Sequence, residues 1–228
     1  MSWSRSHALS AALGWRHCPQ LALRTALAWG KAAGQEGEIE SAVHVMQANR
    51  RFGTAEVIAK VAEAAFGKPL VTNVLRGQVA EAIVALALEP DWDWCSADYS
   101  GWDFERADGL RLEVKQSAAR QSWSTTKPSK AIFDVAARTG RWEGGTQWIA
   151  GIGRAAHLYI FAHHGIYDDH ADHRDPSQWD FYVVPTTALP DIKQISLGTI
   201  KTIATAVSID ELGAAVRSVA NDVSRSVR

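Results

Sequence analysis

Asp103, Glu113 and Lys115 lie together in the stretch Gly101-Trp102-Asp103-Phe104-Glu105-Arg106-Ala107-Asp108-Gly109-Leu110-Arg111-Leu112-Glu113-Val114-Lys115-Gln116. Asp103 and Glu113 are hard oxygen donors, and Lys115 follows Glu113 at the spacing that keeps both on one face of a strand. Held side by side, the two carboxylates repel each other, as like charges facing across two strands do. A Mg²⁺ ion relieves that repulsion and keeps several of its waters. Lys115 can orient one of those waters or help it lose a proton. The substrate that suits such a group is a phosphodiester, whose charge a metal neutralises while water attacks in line. The plainer reading makes Glu113 and Lys115 exposed strand residues and pairs Asp103 with an arginine. Glu-x-Lys alone is a weak signal, whereas the whole arrangement is much more specific.

The geometry follows if this stretch is a hairpin with the three-residue turn Ala107-Asp108-Gly109, Gly109 taking the left-handed position. Arg106 then faces Leu110, Phe104 faces Leu112 and Trp102 faces Val114, which makes one face apolar. Glu105 faces Arg111 and Asp103 faces Glu113 on the other, polar face. A one-residue slip would mix the faces. Upstream, the spacing predicts a helix capped by Asn73, with an apolar stripe of Val74, Val79, Ile83, Ala87 and Leu88, ending before Pro90. It carries Glu81, a carboxylate in an otherwise apolar stretch that needs a reason to be there.

Residues 1–70 read as a helical N-terminal lobe, and 71–228 as the domain that carries the chemistry. In the lobe, Ala42, Val43 and Met46 recur at helical spacing. A further helix is expected after Gly53-Thr54, burying Val57, Ile58, Val61 and Ala65 and stopping at Gly67 before Pro69. Beyond the hairpin, a polar and basic stretch runs to about residue 156 and reads as a long functional loop. His157–Ala162 and Trp179–Val184 read as strands, the second stopped by Pro185. Ser208-Ile209-Asp210-Glu211 is a capping box that opens a helix burying Ile209, Leu212, Val216 and Val219. Helix, hairpin, loop, two strands and helix make an α/β domain around a small mixed sheet flanked by helices.

Composition narrows the function classes. The chain has 228 residues, 46% of them hydrophobic and 21% charged, so it can bury a core and is not a low-complexity chain. Its net charge is −1, so any nucleic acid must be met by a local patch rather than a global field. The 2 cysteines, Cys18 and Cys95, form no CxxC pair, which argues against a disulfide framework or a cysteine zinc site. No apolar run is long enough to span a bilayer and no secretory leader is evident, so a cytoplasmic setting is expected. Most of the 10 tryptophans are expected to serve packing.

Gly77-Gln78-Val79-Ala80-Glu81-Ala82-Ile83-Val84, then Gly101-Trp102-Asp103-Phe104, then Leu112-Glu113-Val114-Lys115-Gln116 resembles the PD-(D/E)XK nuclease superfamily over residues 73–185. The resemblance implies a restriction-endonuclease-like core and an endonuclease that hydrolyses DNA with Mg²⁺, for which Mn²⁺ substitutes, leaving 5′-phosphate and 3′-hydroxyl ends. It makes Asp103 and Glu113 metal ligands, helped by the backbone carbonyl of Val114, and Lys115 the water-activating lysine. Glu81 becomes an auxiliary acid acting through water or a second ion, and Gln116 a polar residue near the scissile phosphate. Trp102 stands where the motif is named for proline, a lax position. Pro90-Asp91 lies too far ahead of Glu113 to be its hairpin neighbour.

DNA would be met by residues 111–141, where seven basic residues (Arg111, Lys115, Arg120, Lys127, Lys130, Arg138, Arg141) outweigh two acids, with Trp123 available to stack on a base. A solvated loop is the alternative for this stretch. The run His163–His173 could hold a transition metal, but a polar connecting loop explains it better. A role in bacterial restriction or defence is favoured. The alternatives are a structure-specific repair or Holliday-junction-type nuclease, and a non-catalytic DNA-binding module on the same fold. Cutting both strands would favour a homodimer, and a protein partner could supply part of the DNA affinity.

Overall fold

A computed structural model of the chain describes residues 52–95, 100–123, 127–143 and 146–226. Contacts divide the chain into the units Met1–Lys60 and Val61–Arg228. The division falls inside the first described helix, α1 (Thr54–Phe66), ahead of residue 70. The helix expected around Ala42, Val43 and Met46 lies outside the described residues. Helix α1 starts after Gly53 and stops before Gly67 as its punctuation predicts, yet none of its residues is buried. Val57, Ile58 and Val61, expected inside, are exposed. Helical periodicity makes a helix two-faced, but burial also needs a surface to receive the apolar face.

The second unit is a mixed α/β fold around one five-stranded sheet. Its strands are β1 (Trp92–Trp94), β2 (Phe104–Arg106), β3 (Arg111–Ala118), β7 (Leu158–His164) and β8 (Trp179–Pro185), in that spatial order. Only β3 and β7 run parallel. Between them the chain forms β4 (Ile132–Asp134), β5 (Arg138–Glu143) and β6 (Gln147–Gly153). The stretch read as one long loop therefore contains three strands. Strand β4 pairs with β9 (Gln194–Ser196), and β5 with β6. Their glycines and two-sided exposure erase the apolar alternation by which a strand is recognised.

Each face of the sheet carries its own core. Helices α2 (Asn73–Leu88) and α4 (Ile209–Ser226) cover the face that presents Phe104, Leu112, Val114, Ile160 and Phe181. The other face presents Tyr159, Phe161 and Val184 to Phe133, Ile195 and Ile200, the last from α3 (Leu197–Ile203). The capping box at Ser208 and Glu211 forms, and Leu212 and Val216 are buried. In α2 the inward face is rotated from the expected stripe. Arg76, Ala80, Ile83, Val84 and Leu88 point inward, while Val74 is 79% exposed. Thr72 occupies the N-cap position, and Asn73 opens the first turn.

The β2–β3 hairpin has the expected turn. Gly109 sits at φ 83°, and the Arg106 N–H donates to Leu110 O at 2.9 Å. Phe104 faces Leu112 and Glu105 faces Arg111. The ladder then departs from the expected pairing. The Asp103 N–H donates to Leu112 O at 3.0 Å, so Asp103 and Phe104 share one partner in the manner of a β-bulge. That extra residue shifts the phase of the strand. Trp102 is therefore not opposite Val114 in the first core but is buried in the second, with Tyr159 and Phe161. Among the described residues, no helix is long and apolar enough to cross a membrane.

Candidate active site

Asp103 is pinned by its backbone before its side chain does anything. Besides the bond to Leu112, its carbonyl accepts the Cys95 N–H at 2.8 Å. The side chain turns toward β3, where Oδ2 accepts the Val114 N–H at 2.7 Å. In an extended strand the N–H and C=O of one residue leave on the same side, so the Val114 carbonyl also faces the Asp103 side. Glu113, one residue earlier, lies on the opposite face of β3, with Lys115 two residues on. The Lys115 ammonium pairs with Glu113 Oε1. From α2, Glu81 accepts the Trp94 indole N–H at 3.0 Å.

These charges feel one another. Burial pushes the Asp103 carboxyl above its ordinary range, and the Glu81 charge pushes it further. Burial raises Glu113 in the same way, with the Asp103 charge adding to it and Lys115 opposing. Glu81 is raised by burial, against the Trp94 bond, and then by Glu113. Lys115 loses solvation, which lowers its pKa, but Glu113 and Asp103 more than compensate and hold it above the ordinary value. Asp103 and Glu113 are not ladder partners as expected, yet they remain close enough to repel.

Asp103 Oδ1 and Glu113 Oε2 carry no hydrogen bond among the described residues. Two crowded carboxylates, each with a free oxygen, and an adjacent carbonyl are donors suited to a hard divalent cation. Among the described residues no three His, Cys, Asp or Glu side chains form a group able to hold a metal ion. A cation here would rely on two acids, a carbonyl and water, which fits Mg²⁺ better than a metal needing a full protein cage.

Gln116 does not stand free beside this site. Its Oε1 accepts the Arg76 Nε–H at 2.7 Å, and its Nε2 donates to Asn73 Oδ1 at 3.2 Å. Arg76 also donates to Gln121 Oε1 at 2.9 Å and Asn73 Oδ1 at 2.7 Å. It is 1% exposed, and burial lowers its pKa to about 10. Sequence reasoning missed this residue because an arginine reads as solvent-facing. The signal was its position four residues before Ala80, in phase with Ile83, Val84 and Leu88.

A cleft of about 360 Å³ opens beside Glu113 and Lys115. The β5–β6 hairpin supplies one wall through Arg138 and Arg141, and Tyr159 lines the cleft from β7. Gly140 is required in that hairpin, because a Cβ there would meet the Trp148 ring at 2.4 Å. Burial and then the Glu113 charge push the Tyr159 phenol up to about 12.

The expected DNA-contacting residues divide into two groups. Arg111 is engaged internally, with Glu143 at 3.0 Å, Glu105 at 3.4 Å and its guanidinium 3.7 Å above the Trp102 ring. Arg120 is held by Asp169 at 2.8 Å and by the Asp168 carbonyl. These two stabilise the fold and are not free to meet a phosphate. Arg138 is exposed and paired with Asp134 at 2.7 Å, while Trp123, Lys127 and Lys130 are exposed. Tryptophans 94, 142 and 148 are also more than a third exposed, so packing accounts for fewer of them than composition suggested.

The His163–His173 segment is bound up with the fold. His164 and His173 are fully buried, their rings 4.9 Å apart edge to face. His173 accepts the Val71 N–H at Nδ1 and its Nε2 donates to the Arg120 carbonyl, so neither nitrogen is left for a metal. No family model matches this chain, and no curated protein matches it significantly.

Proposed function

We propose that this chain is a Mg²⁺-dependent endonuclease that hydrolyses DNA phosphodiesters on a restriction-endonuclease-like core, in bacterial restriction or defence. The observation that carries the reading is the crowding of Asp103 and Glu113, each held above its ordinary pKa, with Lys115 on Glu113. Asp103, Glu113 and the Val114 carbonyl would hold the ion, with Mn²⁺ as a substitute. When bound, the ion supplies charge neutralisation at the phosphate and a more acidic water. The residues do the rest. Asp103 is fixed by three hydrogen bonds, two of them through its backbone, so the donor set is positioned before substrate arrives. Lys115, charged and held by Glu113, is placed to orient the attacking water and to meet the phosphate oxygens. Glu81 acts as an auxiliary acid from α2.

The test is cleavage of supercoiled plasmid in Mg²⁺ by the wild-type chain and by Lys115→Ala. The variant should lose about 10³-fold or more in rate, as the removal of a positioned charged group at the reacting atoms does, while its melting curve stays cooperative. Unchanged cleavage by Lys115→Ala would remove the lysine from the mechanism. DNA binding without turnover in Mg²⁺ or Mn²⁺ would favour a non-catalytic module. Preference for branched over linear duplexes would favour a repair or recombination nuclease.

A further inference from the structure

Strand β7 runs parallel to β3 with Tyr159 directly opposite Glu113. Its side chain therefore stands on the same face of the sheet as the carboxylate and reaches the cleft that Glu113 and Lys115 line. The ring is packed, 5.8 Å from Phe161 and nearly parallel to it. The residue is 5% exposed, and the hydroxyl is the one polar group its side chain brings to the cleft. Arg141, from the β5–β6 hairpin, lines the same cleft, and its Nε is buried and unpartnered.

A buried donor such as the Arg141 Nε is ordinarily satisfied. The Tyr159 hydroxyl and the Arg141 guanidinium can both donate, and they line one cleft. Of the acids there, Asp134 is paired with Arg138 and Glu113 with Lys115 through Oε1, the second Glu113 oxygen being the one assigned to the metal ion. Four cationic side chains, Lys115, Arg138, Arg141 and Arg154, line the cleft against two acids, so a fitting ligand is an anion with several oxygens. A phosphate group has them, and Arg141 matches it in charge as well as geometry. We infer that the Tyr159 hydroxyl and the Arg141 guanidinium form a phosphate subsite for the bound strand, which makes Tyr159 a further catalytic residue contacting a non-bridging oxygen next to the scissile bond. This rests on the nuclease reading for its role in catalysis, although the subsite itself is defined by the cleft. Tyr159 needs no proton transfer to serve, since a neutral phenol is a donor throughout the neutral range.

Tyr159→Phe is a clean test because it keeps the ring on Phe161 and removes one oxygen. Binding of thymidine 3′,5′-bisphosphate to the full chain, measured by calorimetry in Ca²⁺, should weaken about tenfold in the variant, the scale of a hydrogen bond to a charged acceptor. The melting temperature of the free protein should hold, because the ring stays packed on Phe161 and the inference gives the hydroxyl to the ligand rather than to the fold. Equal binding, or a clear fall in melting temperature that reveals an internal partner, overturns the inference. Plasmid cleavage separates the two readings. Loss of activity in Lys115→Ala with wild-type rates in Tyr159→Phe sinks the role of Tyr159 alone. If the wild-type chain cleaves no nucleic acid in Mg²⁺, the nuclease reading and the catalytic role both fall, and the bisphosphate measurement still decides the subsite.

Discussion

The carboxylate of Asp103 accepts the backbone N–H of Val114 at 2.7 Å, at the point where β2 leaves its ladder with β3. An acid thus takes over a ladder hydrogen bond of β3 inside the sheet and is held close enough to Glu113 for the two charges to repel. With both pKa values raised in the fold, the folded chain binds more protons than the unfolded chain between the ordinary carboxylate range and the raised values. Without a divalent ion, stability from this source is greatest at mildly acidic pH and falls as pH rises. Asp103→Asn keeps an acceptor for Val114 and removes the charge. It should abolish Mg²⁺-dependent cleavage and stabilise the metal-free chain at neutral pH by on the order of 1–2 kcal/mol. That gain, measured by denaturant unfolding, should shrink from about pH 8 to about pH 5. A variant that is less stable at neutral pH would contradict the repulsion argument.

Arg111 and the pair Lys127 and Lys130 should respond in opposite ways. Arg111→Met removes a guanidinium stacked on Trp102 and bound to two glutamates, which should cost about 1–2 kcal/mol of stability. DNA affinity should change little. Lys127→Ala with Lys130→Ala touches only exposed side chains, so stability should hold. DNA affinity should fall, and the slope of log affinity against log salt should drop by about one per lysine. Fluorescence anisotropy over a salt series reads both outcomes.

The hairpin was legible because a period-two pattern, a glycine at the turn and one matching register agreed with one another. The face of Trp102 was not, because the bulge at Asp103 depends on where its backbone N–H finds an acceptor, and composition does not encode that. The neighbour of Glu113 across the sheet was equally hidden. Parallel pairing of β3 with β7 spans the whole β4–β6 excursion, so no local pattern places Tyr159 beside it. Arg111 and Arg120 show why a count of basic residues overstates a binding surface. Each is consumed by acids that are distant in sequence and adjacent in space.

Arg76 should behave as a positioning residue. It is buried without a carboxylate partner among the described residues, and it ties Gln116 and Gln121 to Asn73. Arg76→Met relieves the cost of a buried charge but leaves the side-chain oxygens of Gln116 and Gln121 without their donor. The second effect should win, for a net loss of about 2 kcal/mol. Cleavage should slow about tenfold at temperatures where the variant is fully folded, because Gln116 and the end of β3 lose their anchor to α2. Wild-type cleavage by a destabilised variant would confine Arg76 to the fold.

His173 should make the fold sensitive to acid. Its Nδ1 accepts the Val71 N–H at 3.0 Å and its Nε2 bonds the Arg120 carbonyl at 3.1 Å, an arrangement only the neutral ring can make. Burial, then the charge of Arg76, lowers its pKa from 6.5 to about 4. A folded pKa below the unfolded one means that the unfolded chain takes the proton first. The stability is therefore present above about pH 6.5 and lost as pH falls toward about 4, up to ~3 kcal/mol in all. Asp103 and Glu113 act in the opposite direction over part of this range, so the comparison must be made against a variant. His173→Phe should be less stable than the parent at neutral pH, since it leaves Val71 and Arg120 unpaired, and the gap should narrow as pH drops to about 4.5. Parallel stability curves would mean that the ring accepts a proton within the fold. Zn²⁺ should leave the melting temperature of either protein unchanged, because both nitrogens of His173 are already engaged.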